Sequence, residues 1–582
     1  MKKNLYAFIL FFFLQLSFAG AQGFWTPIAN LPVDTSGGGM LLLSDGTVIA
    51  KTFTESSGAL NGYGDIWDRL IPDSTGSYAN GTWSTIAHMN NSRLYFSSQM
   101  LKDGRLYVAG GEYGTGLNKG ETYNPVTDTW TPVTVPAGDT LYDANSAMLP
   151  DGRVLQAVVV SSVWNANIFF DPLTNTYAPA PSSHGNPDEA AFVKLPDNSI
   201  LFIQNPIVTP NYRSERYIPA SNQWVQDALL SDTLWLHTEI GTGMLLPNGK
   251  VIFFGASGHT AYYTPSGTIA PGSWTSGPDL PSGLGTADAA AAMLPNGHVL
   301  LVASPKPTTD TTVFLNPAYF LEFDYVSNSF MMLAAPGGGS SLPATCFMFN
   351  LLNLPDGTVI LSSMGNNQYY LYTSSGSPLP MAKPVISHLL ESNCHFTLTG
   401  TGFNGICEGS SYGDDWQTAT NYPVIRFTNA GKVYYARTFN WNHTGVQTGT
   451  LSDTVQFTIP LNMPGGTYTV QVTANGVASD PLSWTYVPCV AGIAEQKEEA
   501  PVLHVFPNPA GASTQLTFAS DKEEKYSLRI LDLFGRELHK QGGEAQRGQN
   551  SIVLETRGMP QGIYLIVMQQ GCFVMQTRLV VE

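Results

Sequence analysis

Charged residues are scarce in this 582-residue chain, at 12%, and basic residues are the rarer of the two signs. Lys and Arg total 27 against 44 Asp and Glu, so the formal net charge is −17, and no run of Lys or Arg occurs. A protein of this charge without a basic patch is poorly suited to nucleic acid or to an anionic membrane surface. We therefore expect neither as a partner.

Long amphipathic helices are also missing, because no stretch places apolar residues at a 3.6-residue period. A Gly-rich phosphate loop, a serine elbow, a redox Cys pair and Cys or His spacing typical of zinc are absent as well. Gly and Pro, by contrast, are plentiful at 57 and 39 residues. This composition predicts an all-β protein of short strands and tight turns, with a length that suits two to four domains.

The N-terminal residues form the only long apolar segment. Lys2 and Lys3 precede the mostly apolar residues 5–18, and Ala19-Gly20-Ala21 is a small-residue cleavage site. The pattern predicts a signal peptide over residues 1–21, since the segment is short for a bilayer span. We expect a secreted protein with no transmembrane segment; an uncleaved membrane anchor is the alternative.

Cysteine is rare, with five residues in the whole chain. Export permits disulfides, but an odd number leaves at least one cysteine unpaired. Cys394 and Cys407 are close together in one predicted domain, so they are the favoured pair, although connectivity does not follow from sequence alone.

One pattern occurs seven times: an apolar run, a turn with Asp or Asn at its centre, and a second apolar run. The segments are Met40–Ala50, Ser98–Gly111, Ser146–Val158, Ala191–Ile203, Gly243–Gly255, Ala291–Ala303 and Leu351–Ser363. Asp-Gly and Asn-Gly tolerate the positive φ of a type I′ turn, so each segment is predicted to be a β-hairpin. The turns lie 46 to 60 residues apart, a spacing typical of propeller blades. We predict a seven-bladed β-propeller over residues 22–382.

A second motif between the hairpins consists of an aromatic strand, a proline turn, and a Trp or Tyr. It occurs in Glu121–Val133, Phe169–Ala180 and Arg216–Gln226. With this motif the chain resembles the kelch-type propellers and, more narrowly, the galactose-oxidase-like family. The seventh repeat lacks its last strand, and Phe24–Pro27 is predicted to supply it and so close the ring.

Residues 383–488 are predicted to form a small β-sandwich, from strand-like segments such as Phe396–Phe403 and Tyr468–Val472. This region resembles the Ig-like domain that follows the propeller in the galactose-oxidase-like family. A short charged linker, residues 489–502, follows it.

Residues 503–582 carry a further set of ordered motifs, namely Val505–Pro509, Leu528–Gly535 and Met559–Tyr564. They resemble the C-terminal sorting domain of the type IX secretion system of Bacteroidetes, a small β-sandwich. The resemblance implies recognition by that secretion machinery and passage through the outer membrane. It also implies release or attachment at the cell surface, usually with removal of the domain.

The galactose-oxidase-like resemblance implies a copper site at the propeller mouth, held by two tyrosines and two histidines, with one tyrosine crosslinked to cysteine. Tyr95 takes the place of the crosslinked tyrosine. However, Gly37–Gly39 lies where the cysteine is needed, and Phe347 and Met348 replace a Tyr-His pair. The second histidine of the family comes from a segment of the Ig-like domain. The matching stretch here, Val433–Arg437, contains no histidine. Copper radical chemistry is therefore not expected.

Carboxylates occur at the same register in successive repeats. Tyr95 lies eight residues before Asp103 of its turn, and the same count, within one residue, reaches acidic residues in repeats three to six. With Tyr95, four of them form the predicted mouth site: Asp143, Glu189, Glu239 and Asp288. Asp188, beside Glu189, also lies one residue off the count. Converging carboxylates need a cation such as Ca²⁺ or a set of sugar hydroxyls. Calcium at Asp143, Glu189 and Asp288 is one interpretation; capping of local backbone amides is the other.

The insertion that begins at Cys407 is a second candidate site. It is dense in acidic and aromatic residues: Tyr412, Asp414, Asp415 and Trp416. These residue types suit a sugar-stacking platform or a calcium loop at Asp414 and Asp415. They are equally typical of an ordered loop between two domains.

These patterns favour a secreted or surface-displayed protein that binds a glycan or protein ligand without catalysis. The alternative is an extracellular carbohydrate-active hydrolase or lyase that uses the acidic mouth, since glycosidases need only a carboxylate pair. No cofactor is required by either interpretation, apart from the calcium ion already considered.

Overall fold

The structure is a computed structural model that describes residues 23–34, 37–58, 63–188, 190–203, 213–236, 239–306, 314–412, 416–488, 503–520, 522–532, 536–570 and 573–582. The predicted signal peptide, the predicted linker, Glu189, Asp414 and Asp415 lie outside these residues. The chain forms two compact units, Met1–Val487 and Pro488–Glu582.

The first unit begins with a long series of short strands. Among its described residues there are 3₁₀ turns at Pro281–Gly283 and Cys346–Met348, within the series, and at Pro380–Ala382, after it. The first half of the series is β1 (Phe24–Pro27), β2 (Met40–Leu42), β3 (Val48–Lys51), β4 (Trp67–Ile71), β5 (Thr82–Thr85), β6 (Arg93–Leu94), β7 (Ser97–Met100), β8 (Leu106–Ala109), β9 (Tyr113–Gly114), β10 (Lys119–Asn124), β11 (Thr129–Thr134), β12 (Ser146–Met148), β13 (Val154–Ala157), β14 (Asn167–Asp171) and β15 (Thr176–Ala180). The second half is β16 (Val193–Lys194), β17 (Ile200–Ile203), β18 (Arg213–Ile218), β19 (Gln223–Leu229), β20 (Gly243–Leu245), β21 (Val251–Phe254), β22 (Thr260–Thr264), β23 (Ser273–Ser276), β24 (Leu284–Gly285), β25 (Ala290–Met293), β26 (Val299–Pro305), β27 (Tyr319–Asp324), β28 (Ser329–Leu333), β29 (Phe349–Asn353), β30 (Val359–Ser363) and β31 (Tyr370–Thr373).

Each of the repeats forms an antiparallel four-stranded meander, and each predicted hairpin forms two adjacent strands of its meander. The strand orders are β2-β3-β4-β5, β7-β8-β10-β11, β12-β13-β14-β15, β16-β17-β18-β19, β20-β21-β22-β23, β25-β26-β27-β28 and β29-β30-β31-β1. The hairpin strands are buried along almost their whole length, as expected for strands covered by a neighbouring sheet on each side. The predicted all-β propeller class is confirmed.

The ring is closed by the first strand of the chain. Strand β1 pairs antiparallel with β31, with Phe24 opposite Thr373 and Trp25 opposite Tyr372. Trp25 also packs against Phe320, at 5.3 Å between ring centroids. The predicted role of Phe24–Pro27 is therefore confirmed, and the last sheet gains the outer strand that its own repeat lacks.

The hairpin turns differ from the predicted type I′. A type I′ turn needs positive φ at both central residues, whereas each turn has one such residue, with φ between 66° and 90°. In the first turn the Gly46 amide donates to Leu43 O (3.0 Å) and the Leu43 amide to Thr47 O (2.8 Å), which is a type I turn followed by a left-handed residue. The Asp or Asn before that residue accepts the amide two positions on, at 2.9–3.1 Å in every repeat. This Asx bond explains the acidic residue of the motif.

Buried ion pairs connect strands within the sheets. Arg93 Nη2 lies 2.7 Å from Glu121 Oε1, and both side chains are fully buried. Glu121 also accepts the Asn90 amide at 2.8 Å, so it fixes the chain just before the second repeat's first strand. Glu121, on the third strand of its repeat, thus caps a backbone amide as well as pairing with Arg93.

In the described residues after β31, the first unit contains eleven further strands. They are β32 (Val385–Ser392), β33 (His395–Thr401), β34 (Ser410–Tyr412), β35 (Trp416–Gln417), β36 (Val424–Asn429), β37 (Lys432–Ala436), β38 (Thr438–Phe439), β39 (Asp453–Phe457), β40 (Gly466–Ala474), β41 (Val477–Ala478) and β42 (Leu482–Tyr486). Two sheets, β32-β33-β39-β38 and β37-β36-β40 with β41 and β42, pack face to face. Phe396 and Phe457 of one sheet contact Trp484 and Phe427 of the other, at 5.8–6.0 Å between centroids.

This sandwich lies on the turn face, which we define as the end of the propeller formed by the hairpin turns. The Thr438 amide donates to Ser44 O (3.2 Å), Arg437 Nη2 to Asp103 O (2.6 Å), and Gln447 Nε2 to Leu246 O (2.8 Å). The contacts therefore reach the turns of three repeats.

The second unit has strands β43 (His504–Phe506), β44 (Ser513–Ser520), β45 (Glu524–Leu531), β46 (Glu537–Ala545), β47 (Gly548–Glu555), β48 (Gly562–Gln570) and β49 (Phe573–Val581). They form a three-stranded sheet, β43-β44-β47, and a four-stranded sheet, β46-β45-β48-β49. Its core includes Leu516, Phe518, Leu528 and Ile566.

The predicted Cys394–Cys407 disulfide is wrong. Cys407 is a free, buried thiol, as is Cys346. Cys394 is disulfide-bonded, but Cys407 is not its partner. Proximity in sequence misled the prediction, because Cys407 starts the insertion that leaves the sandwich for the propeller.

Candidate functional site

The insertion enters the centre of the propeller. Strand β34 pairs with β25, the innermost strand of the sixth repeat, and with β35. Ser410 Oγ donates to Asn353 Oδ1 of the seventh repeat (2.6 Å), and the Trp416 ring lies 5.1 Å from that of Phe96 in the second. Contact with the innermost strands of several repeats places the β34–β35 hairpin in the central channel.

Tyr95 lies at the mouth, which is the end of the channel opposite the turn face. Its ring is stacked on Tyr412 (6.0 Å) and lies edge-on to Trp416 (6.1 Å), while its hydroxyl contacts Met364 Sδ at 3.7 Å. Tyr412 and Trp416, the aromatic residues predicted in the insertion, therefore contact Tyr95, which was predicted to lie at the mouth. Asp414 and Asp415, between them in sequence, lie outside the described residues.

Val433–Arg437, which the resemblance matched to the segment that brings in a histidine, does not enter the channel. Val433 donates its amide to Ser74 O (2.9 Å) and Tyr435 Oη lies 3.3 Å from Gly76 O, both on the turn side of the first repeat. The match was wrong because a different segment enters the channel. That segment is the insertion 407–420, which precedes the strand of Val433.

The residues present do not fit the copper site that the resemblance implies. Phe347 and Met348 stand where a Tyr-His pair is needed; the Phe347 ring packs on Phe314 (4.7 Å) and its carbonyl accepts the Tyr412 hydroxyl (2.7 Å). Gly39, beside the missing cysteine position, has no space for a side chain because the Trp416 ring occupies it. This donor set supplies no copper chemistry.

Asp143 and Asp188 form a hydrogen-bonded carboxyl pair at the mouth. Asp143 is 5% exposed, and its Oδ1 has no hydrogen-bond partner among the described residues. Burial, followed by the charges of Asp188 and Glu112, raises the pKa of Asp143 to about 8. Burial also raises the pKa of Asp188. The pair therefore holds a proton at neutral pH.

Two further carboxylates belong to the same electrostatic cluster. Burial and the charges of Glu239 and Asp188 raise the pKa of Glu112, although a hydrogen bond with Tyr113 opposes the shift. The cluster thus contains Asp143, Asp188 and Glu239, which the register from the turns reaches within one residue, together with Glu112. The prediction did not include Glu112, because this residue follows the second hairpin, after Gly110-Gly111, whereas the register applies to positions before each hairpin.

Asp288 is placed at the corresponding position of the sixth repeat. It has a left-handed φ of 45°, and its amide donates to Ile240 O at 3.1 Å. Tyr95 (φ 51°) and Tyr142 (φ 47°) share this conformation at the same end of the propeller. Such backbone is costly for non-Gly residues and tends to occur at functional sites. Glu189 lies outside the described residues.

Two exposed aromatic rings and one half-buried ring lie at the same end of the propeller as the carboxyl cluster. Tyr113 is 41% exposed and stacks on Tyr63 at 5.5 Å between centroids. Trp164, in the loop after β13 of the third repeat, is 71% exposed. These loops join the second and third strands of consecutive repeats, so all three rings lie on the mouth side.

Among the described residues, no three His, Cys, Asp or Glu side chains are grouped to hold a metal ion. The predicted calcium sites each include residues outside that part of the chain. They stay predictions.

Comparison with known proteins identifies two parts of the chain. Residues 504–582 match the secretion system C-terminal sorting domain, and residues 102–134 match the kelch motif. The chain is a kelch-propeller protein with a type IX sorting domain. No curated protein sequence matches it.

Two solved structures are similar to this kelch-propeller protein over much of their length. One is a copper complex of a fungal alcohol oxidase of the AA5 family, with 15% identity, a TM-score of 0.45, and coverage of 80% of this chain and 99% of that one. The other is YjhT, with 16% identity, a TM-score of 0.36, and coverage of 53% and 99%. Scores of this size carry no conclusion about activity.

The sorting domain indicates how the protein leaves the cell. It indicates secretion by the type IX system, with attachment to the cell surface or release, and engagement of the secretion machinery. No helix in the described part of the chain is long and apolar enough to cross a membrane.

Proposed function

We propose that this protein is a surface-displayed or released binding protein whose propeller mouth holds a hydroxyl-rich ligand, with glycans as the ligand class. The observation that carries the proposal is the hydrogen-bonded pair of buried Asp143 and half-buried Asp188, in which Asp143 Oδ1 has no hydrogen-bond partner among the described residues. A sugar hydroxyl can donate to such an oxygen and can accept from a protonated carboxyl, so it satisfies the pair in either state.

The rings at the rim support the same ligand class. Tyr113 is hydrogen-bonded to Glu112 of the cluster and stacks on Tyr63, and Trp164 lies on the same mouth side. Apolar and aromatic walls with a few fixed polar groups are the usual composition of small-molecule sites.

A carbohydrate hydrolase is the second candidate, because a carboxyl with a raised pKa can act as a general acid. Retaining glycosidases, however, place their two carboxyls about 5–5.5 Å apart, and inverting ones farther. Asp143 and Asp188 are hydrogen-bonded, so they are closer than this. A hydrolase would need Glu112 or Glu239 as its second carboxyl, which makes binding the better-supported function.

The test is a glycan array probed with the exported chain, followed by calorimetry and product analysis on each glycan bound. Asp143→Asn keeps the shape and a hydrogen bond to Asp188, and we expect it to weaken binding at least tenfold. Asp480→Asn, at an 83% exposed side chain on the sandwich, is the matched control and should bind normally. A protonated pair needs no cation, so chelator should change nothing; loss of binding with chelator would instead support the calcium site predicted at Asp143.

Two results would count against the proposal. Glycan binding that Asp143→Asn leaves unchanged would place the site elsewhere. Release of new reducing ends by the wild type, abolished in Asp143→Asn, would instead establish the hydrolase.

A further inference from the structure

Glu112 lies at the mouth, beside Tyr95 and Asp143. Its amide donates to Tyr95 O at 3.0 Å, and the amide of Gly111 donates to Tyr142 O at 2.5 Å. Because Tyr142 directly precedes Asp143, these two backbone bonds bring Glu112 of the second repeat to the acidic residue of the third. The charge of Glu112 accordingly acts on Asp143. Backbone contacts therefore fix the position of Glu112 within the carboxyl cluster.

Glu112 and Asp188 present carboxyls that a ligand can reach. Both side chains are half-buried, whereas Asp143, which is hydrogen-bonded to Asp188, is almost fully buried. Asp143 Oδ1 has no hydrogen-bond partner among the described residues, so at least one acceptor of the cluster has no donor. An ionised carboxylate only accepts hydrogen bonds, so a ligand suited to these residues has to donate them.

The charges that act on these carboxyls are negative. Burial is the largest cause of the raised pKa of Glu112, and the charges of Glu239 and Asp188 also raise it. Burial likewise comes first for the pKa of Asp143, followed by the charges of Asp188 and Glu112. Repulsion between such groups is relieved by a proton or by a cation that enters the cluster.

Lys51, Arg93 and Lys119, on the mouth side of the first two repeats, are engaged elsewhere. Arg93 Nη2 lies 2.7 Å from Glu121 Oε1, and Lys119 Nζ donates to Asn91 Oδ1 at 3.0 Å. Lys51 is fully buried. The positive charge that would offset Glu112 is therefore left for a ligand to supply.

An ammonium group suits this arrangement better than a hydroxyl. It carries three donors and no acceptor, and its hydrogen bonds to carboxylates are charge-assisted and stronger than those of a neutral donor. It can bind to two carboxylates without the shell of several oxygen ligands that Ca²⁺ needs. The exposed ring of Tyr113, whose side chain is hydrogen-bonded to Glu112, gives a cation or a sugar face a further surface to contact.

We propose that the ligand of the mouth is an amino sugar, whose ammonium group pairs with Glu112 and Asp188 while its ring lies against Tyr113. This inference rests on the proposed glycan-binding function and names the class of glycan. The same carboxylates repel uronic acids and sulfated sugars, so acidic glycans are not ligands.

Calorimetric titration of the exported chain with matched tetrasaccharides, at pH 6 and low salt, tests the assignment. Two β1,4-linked skeletons, gluco and galacto, each carry an amine, an acetamide or a hydroxyl at C2, and tetragalacturonate is the acidic comparison. We expect the amine form of at least one skeleton to bind at least tenfold more tightly than its acetamide and hydroxyl forms, and tetragalacturonate not to bind. Tetralysine, a cation without sugar rings, controls for attraction to the net charge of −17 and should bind at least tenfold more weakly than that amine. Added salt should reduce the preference for the amine, because it screens the charges.

Two variants locate the ammonium group. Glu112→Gln removes the charge at nearly constant size, and Asp188→Asn does the same at the second carboxyl. Each should lower the affinity ratio of amine to hydroxyl form at least fivefold, and Asp188→Asn decides the matter if Glu112→Gln fails to fold. Asp480→Asn, at the exposed carboxyl on the sandwich, should keep the full ratio.

The results separate this inference from the function on which it rests. Equal binding of the three forms of both skeletons, weakened by Asp143→Asn, would refute the amino sugar and leave the glycan site standing. A preference for the amine that survives both Glu112→Gln and Asp188→Asn, or that tetralysine matches, would also refute the amino sugar. Absence of binding by every saccharide would refute both.

Discussion

Replacing Asp143 with Asn should make the stability of the protein less dependent on pH. The pKa of Asp143 rises from the usual 3.8 to about 8 on folding, so the folded chain keeps a proton that the unfolded chain loses above about pH 4. Because the folded state binds more protons, the free energy of unfolding is highest below pH 4 and decreases as the pH rises toward 8. An Asn side chain has no such proton to lose.

The size of the effect follows from linkage. One proton bound only in the folded state changes the free energy of unfolding by about 1.4 kcal/mol per pH unit. Between pH 5 and pH 7 the wild type should therefore lose about 2.7 kcal/mol relative to Asp143→Asn. The 5% exposure of Asp143 leaves little room for solvent screening of this difference.

Urea unfolding of both proteins at pH 5, 6 and 7 measures the difference, with Asp480→Asn as the control for removal of a carboxylate in solvent. An infrared carbonyl band from a protonated carboxyl at pH 7, absent in Asp143→Asn, would identify the proton directly. Parallel pH profiles for wild type and Asp143→Asn, together with no such band, would refute the protonated pair.

Three further predictions concern the fold. Gly39→Ala should cost about 1–3 kcal/mol in urea unfolding, because the new methyl meets the Trp416 ring, and added Trp416→Leu should restore part of the loss; a neutral Gly39→Ala would contradict the packing. Arg93→Met should cost about 3–5 kcal/mol by leaving Glu121 buried and unpaired, against under about 1 kcal/mol for surface Arg153→Met. Burial raises the pKa of Cys346 to about 11 and that of Cys407 to about 12. Both thiols should therefore resist iodoacetamide at pH 8 until the protein unfolds, as followed by mass spectrometry. Rapid labelling of the folded protein would contradict their burial.

Local chemistry explains why the propeller was predictable from the sequence. Each turn combines an Asx side chain that bonds the amide two residues on with a Gly or Asn in the left-handed region. Such signals require no knowledge of distant residues, and their regular spacing reveals the repeat. The pairing of Phe24–Pro27 could be predicted because the seventh repeat has only three strands of its own.

Features that depend on distant contacts were predicted less well. The Cys394–Cys407 pair failed because the insertion carries Cys407 away into the channel. At the mouth, the register from the turns found Asp143 and Glu239, because the innermost strands all begin at that end. It did not find Glu112, which reaches the same cluster from the other end of a hairpin. Which carboxylates share a proton depends on burial and mutual distance, and neither is encoded in a local motif.

The way the first unit is closed constrains when it can fold. Phe24 pairs with Thr373, and Ala290 with Tyr412 in the channel, so the ring and its central hairpin both join segments that are far apart along the chain. Contacts of such long sequence separation form late and slowly, because most of the chain must be ordered before they can be made. A chain still emerging from the ribosome lacks the partners of its own first strand. It can therefore remain unfolded until synthesis has passed residue 412, which leaves an interval in which an export pathway meets an open polypeptide instead of a finished propeller.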